Sequence, residues 1–203
     1  RGIHVIFACT DKGYKKDVET VDEDYQILKD RVIKPFKKSL SRSAVTNYFL
    51  GNHESWFYNK MAKDHNLQGK LGVESNIDLK KYNINLIPRK KSVHYGFLYF
   101  LHDTYINQHH AKKTVLNYRK CIIYCHTHDK QEFMLYSPVD DDEKLVAKSI
   151  GCLCSLNPVY KKDEPNNWVN AFNYAYVRKD GTFNDYTVVI TGGEFIANGK
   201  LYK

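Results

Sequence analysis

A chain of 203 residues with 42% hydrophobic and 14% aromatic residues has the composition of a globular protein with a sizeable core, which excludes a disordered chain. No apolar run approaches the ~20 residues that cross a membrane, and no signal peptide is recognisable, so a cytoplasmic protein without membrane partners is predicted. The net charge of +8 favours a polyanionic partner such as nucleic acid, or a phosphate-bearing substrate. Because the lysines are scattered, an ordinary solvated surface also explains this charge.

The first predicted element is a buried strand at residues 3–9. Because the chain opens at Arg1 almost directly into this strand, we expect its N-terminus to be incomplete. Thr20 and Glu23 resemble a capping box that starts a helix, and Pro35 should kink or end that helix. The helix carries apolar residues at helical spacing, namely Tyr25, Leu28, Val32 and Phe36.

The remaining elements alternate at first and then become mostly antiparallel. Strands are predicted at 45–50, 84–87, 93–101, 121–125, 133–136, 146–153, 171–178 and 182–190, and helices at 55–65 and 107–118. Residues 179–181 (Lys-Asp-Gly) are a hairpin turn between the last two strands. Such an order predicts a mixed, layered α/β architecture, and the absence of a linker predicts a single domain over residues 1–203.

Polar residues that can bind metals follow three of the predicted strands. Asn52 and His53 come after the strand at 45–50, His102 after that at 93–101, and His126 and His128 after that at 121–125. Ligands bind at strand ends in layered α/β folds, and imidazole nitrogens with an amide oxygen suit Mn, Fe or Zn. One such histidine is usually a packing residue, but three strand ends of the same kind predict a metal site.

These residues resemble a known family. The motifs GNHE at 51–54, LH at 101–102 and HTH at 126–128 occur in the order and spacing of the calcineurin-like metallophosphoesterases. The segments SIGCLCSLNPVY and PNNWVNAF resemble the C-terminal part of phage and prophage members, which extends the resemblance over residues 45–203. It implies an N-terminally incomplete, layered mixed β-sandwich flanked by helices, in a bacterial or phage-infected cell.

The resemblance also implies roles. Asn52, His102 and His126 would bind one of two divalent ions and His128 the other, while His53 would donate a proton or hydrogen bond to the leaving group. The two ions would activate a water that hydrolyses a phosphomonoester or phosphodiester bond. A nuclease, a protein phosphatase and a small-phosphoester hydrolase all stay open.

Secondary roles are expected for neighbouring residues. Glu54 would orient its loop rather than bind metal, and a tight turn at Gly51 would aim Asn52 at the metal and His53 at the substrate. His110 is expected to contact the substrate phosphate, with a solvated helix face as the alternative. A loop between two late strands is expected either to form a wall of the substrate pocket or to have only a structural role, with its polar side chains capping the loop backbone. Its candidate residues are Asn157, Asn166, Asn167 and Trp168.

The sequence departs from the family where the first metal takes its carboxylate ligands. The motifs D-x-H and G-D-x-x-D are absent, Asp11 is the nearest candidate for the bridging carboxylate, and Cys125 stands in place of a glycine. The alternative function is therefore an impaired remnant of the fold that binds nucleic acid or protein. The five cysteines lack the CxxC-pair spacing of structural zinc sites and predict buried, reduced thiols.

Overall fold

The structure is a computed structural model that describes residues 2–9, 20–140, 144–158, 161–162 and 164–203. Its contacts divide the chain into two compact units. The large unit comprises residues 1–11, 90–157 and 163–203, and the small unit comprises residues 12–89 and 158–162. Both combine helices and strands, as expected of a mixed α/β protein, whereas the single domain and the layered sandwich stay predictions.

The elements follow one another along the described chain with ends mostly within three residues of those predicted. The first ten are β1 (Ile3–Phe7), α1 (Val21–Leu28), a π-helical turn (Lys29–Ile33), α2 (Lys34–Ser39), β2 (Thr46–Phe49), α3 (Asn52–Lys63), a 3-10 turn (His65–Leu67), α4 (Val73–Asn76), β3 (Ile84–Ile87) and β4 (Val93–Tyr95). The others are β5 (Leu98–Leu101), α5 (His110–Tyr118), β6 (Cys121–Tyr124), β7 (Lys130–Tyr136), β8 (Lys144–Ile150), β9 (Ala171–Val177), β10 (Phe183–Val189), β11 (Phe195–Ala197) and β12 (Lys200–Tyr202).

In the small unit the predicted capping box is present, since the Glu23 amide donates to Thr20 Oγ1 at 3.2 Å and the Thr20 amide to Glu23 Oε2 at 3.1 Å. Pro35, expected to kink or end the helix, does not end it. It lies in the first turn of α2, directly after the π-helical turn, which widens the backbone where proline lacks an N–H.

The π-helical turn also changes which residues face the core. An i→i+5 turn contains an extra residue and so rotates the helical face that follows it. Val32 and Phe36, expected inside, are 40% and 38% exposed, whereas Ile33 is buried with Tyr25. β2 and β3 form a parallel pair beside these helices.

The large unit contains a five-stranded sheet in the order β4-β5-β6-β8-β7, in which β5, β6 and β8 are parallel. A three-stranded antiparallel sheet has the order β1-β9-β10, and β11 and β12 form a hairpin. The single strand predicted at 93–101 is wrong, because the chain reverses at Gly96. Its φ of +55° suits glycine, and a Cβ there would lie 2.4 Å from the Gly181 carbonyl oxygen.

The interior strands β5 and β6 hold the site residues in place. All four residues of β6 are buried, as are Leu98, Phe100 and Leu101 of β5, which is typical of parallel strands covered on both faces. α5 packs mainly on β7 and β8, and its Val115 shares a buried cluster with Leu101 of β5 and Tyr124 of β6. Leu116, also expected inside, is 43% exposed. No helix in the described part of the chain is long and apolar enough to span a bilayer.

Candidate metal centre

Two of the predicted ligands meet where β5 and β6 end. The strands run parallel with Leu101 opposite Tyr124, so His102 and His126 leave the same edge of the sheet. Their ring centroids are 5.6 Å apart. The structure thus brings this pair together, while its role in metal binding stays a prediction.

The loop formed by His126, Thr127 and His128, called the histidine loop, has a strained backbone. His126 has a φ of 142° and His128 a φ of 63°, a region that residues with a Cβ seldom adopt. Each such residue costs about 1–3 kcal/mol and persists only where its surroundings impose it, which is common at functional sites. Between them, the Thr127 hydroxyl donates to Asp129 Oδ1 at 2.6 Å and lies 3.0 Å from the Ser149 hydroxyl.

Asp129 lies at the centre of the bonds that impose this conformation. Besides Thr127, its carboxylate accepts from Ser149 Oγ at 3.1 Å and lies 2.9 Å from His110 Nε2. Burial alone would raise the pKa of Asp129, but the hydrogen bonds from Thr127, His110 and Ser149 together lower it. The charged carboxylate of Asp129 therefore stabilises the conformation of the histidine loop through these hydrogen bonds, and we call it the Asp129 brace.

His110 belongs to this network and is 3% exposed. Its Nε2 faces Asp129 and its Nδ1 forms a hydrogen bond with the Tyr124 hydroxyl. Both ring nitrogens are thus engaged with protein groups. The expected contact of His110 with a substrate phosphate stays a prediction, and it requires this network to open.

His128 lies among sulfur atoms, which the sequence did not predict. Its Nδ1 is 3.9 Å from Cys154 Sγ, and Cys152 completes a group of three ligand atoms within 4.8 Å of one another. The Trp168 indole and the His128 imidazole pack in a T-shaped arrangement with ring centroids 4.3 Å apart. We call His128, Cys152 and Cys154 the GCLC cluster, after the sequence around the cysteines.

Cys9, His102 and Cys125 form a second group of three, again with ligand atoms within 4.8 Å of one another. We call it the strand-end cluster. Cys125 Sγ is 3.7 Å from His102 Nδ1. The hydrogen bond from the Cys9 thiol, together with His102, lowers the pKa of Cys125 to about 6 despite its burial. The hydrogen bond between the two thiols, together with burial, raises the pKa of Cys9.

Asn52 and His53 belong to the small unit and stand in the first turn of α3, not in the loop expected before a helix at 55–65. The helix starts early because Glu54 reaches back. Its Oε2 accepts from the Gly51 amide at 3.0 Å and its Oε1 from the Tyr48 hydroxyl at 2.8 Å. Glu54 therefore orients this corner, as expected.

The explanation offered for Gly51 is wrong. Its φ of −91° and ψ of −172° are extended backbone that any residue adopts. The directions of Asn52 and His53 follow instead from the change from extended to helical backbone at the N-cap. The His53 ring packs against the Trp56 indole at a tilt of 41°, with ring centroids 4.7 Å apart. The metal and catalytic roles of Asn52 and His53 stay predictions.

Other candidates have structural roles or lie outside the described residues. Asn166 braces the late loop, since its Nδ2 donates to the Leu156 carbonyl at 2.9 Å and its Oδ1 accepts from the Trp168 amide at 3.0 Å. Asp11, the candidate bridging carboxylate, lies outside the described residues. Neither cluster contains a carboxylate among the residues that the structure describes.

Comparisons with known proteins add little to this geometry. No protein-family model and no curated protein matches the chain. Among solved structures, Vps29 of Chaetomium thermophilum is similar with a TM-score of 0.41 and 11% identity, over 92% of this chain and 97% of that one. A likeness of this size carries no argument about fold or function. The interpretation therefore depends on the residues themselves.

Proposed function

We propose that the protein is a metal-dependent phosphoesterase that hydrolyses phosphomonoester or phosphodiester bonds. The observation that carries the proposal is the His102–His126 pair at the ends of two buried parallel strands, with ring centroids 5.6 Å apart. The motif resemblance of GNHE, LH and HTH supplies the reaction class. The net charge of +8 suits an anionic substrate.

The donor atoms present are suitable for divalent ions of the Mn, Fe or Zn class. His102 and His126 would hold one ion and His128 the other, and the motif resemblance adds Asn52 as a further ligand. Buried strands and the Asp129 brace fix the imidazoles before an ion arrives, which limits the cost of ordering them. A bound ion would supply charge stabilisation at the phosphoryl oxygens and lower the pKa of a water.

The chain's own side chains would do the remaining work. His53 is proposed to donate a proton or hydrogen bond to the leaving-group oxygen, which gains charge in the transition state. Glu54 orients the corner before it by accepting from the Gly51 amide. The presence of two ions and a cytoplasmic location also stay predictions.

A binding module without catalysis is the second candidate. One observation favours it, namely that no described carboxylate joins the two ligand clusters, whereas two-metal hydrolases commonly have a carboxylate that holds the ions together. Such a module would bind nucleic acid or a protein partner through its basic surface. It predicts binding that does not depend on His126.

Metal-dependent hydrolysis separates the two candidates. The 203-residue chain, stripped of metal by a chelator, is assayed on p-nitrophenyl phosphate and bis-p-nitrophenyl phosphate with Mn²⁺, Fe²⁺ or Zn²⁺ added back. We expect hydrolysis that needs metal and is lost in His126→Ala. It should be unchanged in His94→Ala, since His94 is exposed, stacks on Tyr99, lies 3.2 Å from the Gly96 carbonyl oxygen and belongs to neither ligand cluster. Hydrolysis that is absent, or equal in both variants, would favour the binding module.

A further inference from the structure

We propose that the GCLC cluster and the strand-end cluster bind zinc through cysteine thiolates, with His128 and His102 as the nitrogen ligands. The inference rests on the proposed function for a metal at this end of the sheet. It adds the identity of the metal and four ligands that the motif resemblance does not include. Zinc binding itself does not require that the protein hydrolyses anything.

The spacing of the donor atoms fits zinc. Zn–S bonds of about 2.3 Å and Zn–N bonds of about 2.0–2.1 Å in a tetrahedron place sulfur about 3.6 Å from nitrogen. The observed distances are 3.7 Å from Cys125 Sγ to His102 Nδ1 and 3.9 Å from Cys154 Sγ to His128 Nδ1. The third ligand atom of each cluster lies within 4.8 Å of the other two, so side-chain movements of up to about 1 Å would bring all three to zinc-binding distances.

The backbone holds the GCLC cluster together from two directions. The Val169 amide donates to the His128 carbonyl at 2.9 Å, and the Cys152 amide donates to the Val169 carbonyl at 2.9 Å. Asn170 Nδ2 donates to the Cys154 carbonyl at 2.8 Å. The same two-residue segment thus positions all three ligands, so little ordering is needed when an ion binds.

Gly151 allows this close approach. Its φ is +78°, its amide donates to the Asp129 carbonyl at 2.9 Å, and a Cβ on it would lie 2.3 Å from the Val169 carbonyl oxygen. The glycine before Cys152 therefore brings the GCLC segment against both the histidine loop and the start of β9.

The two clusters are neighbours within the large unit. The Leu153 amide, between the two cysteines of the GCLC cluster, donates to the Cys9 carbonyl at 2.6 Å. Four of the five cysteines therefore gather at one place, although they come from distant parts of the sequence.

Buried cysteines that merely fill the core are the competing explanation, since free cysteine is often a small apolar residue. Cys121 fits that description, because its thiol donates to the Lys144 carbonyl and it joins neither cluster. The other four each lie beside an imidazole in a group of three, next to a loop with two strained histidines. Thiolate and imidazole ligands together favour zinc over Mn²⁺ or Mg²⁺.

Cobalt substitution tests the proposal directly. The metal-free chain is titrated with Co²⁺, and we expect a near-ultraviolet thiolate-to-cobalt charge-transfer band that Zn²⁺ abolishes on addition. Cys154→Ser should weaken metal binding at the GCLC cluster by about 10–100-fold, the loss that follows even from changing the outer partner of a ligand, and should leave the strand-end cluster unchanged. The matched control, Cys121→Ser, should bind as the unmodified chain does.

A measurement on the unmodified chain avoids dependence on variants that fail to fold. Zn²⁺ should protect Cys154 from alkylation in peptide mapping, whereas Mg²⁺ should not. No thiolate band, no protection, or equal binding by Cys154→Ser and Cys121→Ser would overturn the proposal. Hydrolysis with Mn²⁺ but no thiolate band would remove this inference and keep the phosphoesterase, and a thiolate band without hydrolysis would do the reverse.

Discussion

Gly151→Ala tests whether the close packing of the GCLC segment is what assembles the site. Gly192→Ala is the matched control, because Gly192 lies in the same unit with a φ of +60° but has no atom within 4 Å of an added Cβ. Both variants suffer the strain of a side chain at positive φ, about 1–2 kcal/mol. Only Gly151→Ala adds the clash with the Val169 carbonyl oxygen, which overpacking data place at about 1–3 kcal/mol.

Urea denaturation can measure this difference in the large unit alone. The chain has two tryptophans, of which Trp168 lies against His128 in the large unit. Trp56 is 54% exposed in the small unit, so Trp56→Phe is a mild background that leaves Trp168 as the reporter. Gly151→Ala should lower the free energy of unfolding by about 2–5 kcal/mol, against about 1–2 kcal/mol for Gly192→Ala.

The metal site gives a second readout of the same variants. Since the Gly151 clash displaces the chain beside Cys152, Gly151→Ala should lose the part of the thiolate-to-cobalt band that comes from the GCLC cluster, while Gly192→Ala keeps the full band. Equal losses of stability, together with an unchanged band in both variants, would refute the argument that Gly151 assembles the cluster.

Three further predictions concern the brace and the small unit. Asp129→Ala should lower the free energy of unfolding by about 3–5 kcal/mol, as for the loss of one partner from a buried pair. In the same urea assay Asp129→Asn should lower it less, because the amide oxygen still accepts from Thr127. Equal losses would argue against Asp129 as a brace of the histidine loop. Asn52→Ala should lower the affinity for one of the two metal ions in a calorimetric titration, and excess metal should partly restore hydrolysis. An unchanged titration would remove Asn52 from the ligand set. His53→Ala should keep metal binding but lower turnover by about 10²–10⁴-fold, less with a nitrophenol leaving group; equal loss on good and poor leaving groups would contradict a proton donor.

Sequence patterns predicted the strands well because buried parallel strands appear as continuous apolar runs, as in β6. They missed two local features. The chain reverses direction at Gly96, although the apolar residues on both sides of it predict one continuous strand. The helix α3 begins three residues earlier than predicted, because Glu54 accepts a hydrogen bond from the Gly51 amide. The spacing of glycine and glutamate three residues apart was a signal for this cap. The π-helical turn at Lys29–Ile33 has no comparable sequence signal.

The candidate site was predicted only in part. His102 and His126 were expected together because both follow strands, and strand ends on one edge are neighbours. The sequence does not predict the thiol ligands, because CxxC spacing is absent and Cys9 and Cys125 approach His102 from the ends of two strands far apart in the sequence. The strained backbone at His126 and His128 could not be read from the sequence, since it follows from tertiary hydrogen bonds through Asp129.

Anomalous diffraction at the zinc edge, on crystals grown from zinc-loaded protein, tests the central claim most directly. The account predicts a peak about 2.0–2.1 Å from an imidazole nitrogen of His102 or His128, with cysteine sulfur at about 2.3 Å. Zinc found only at exposed histidines such as His94, or no bound zinc in the large unit, would contradict it.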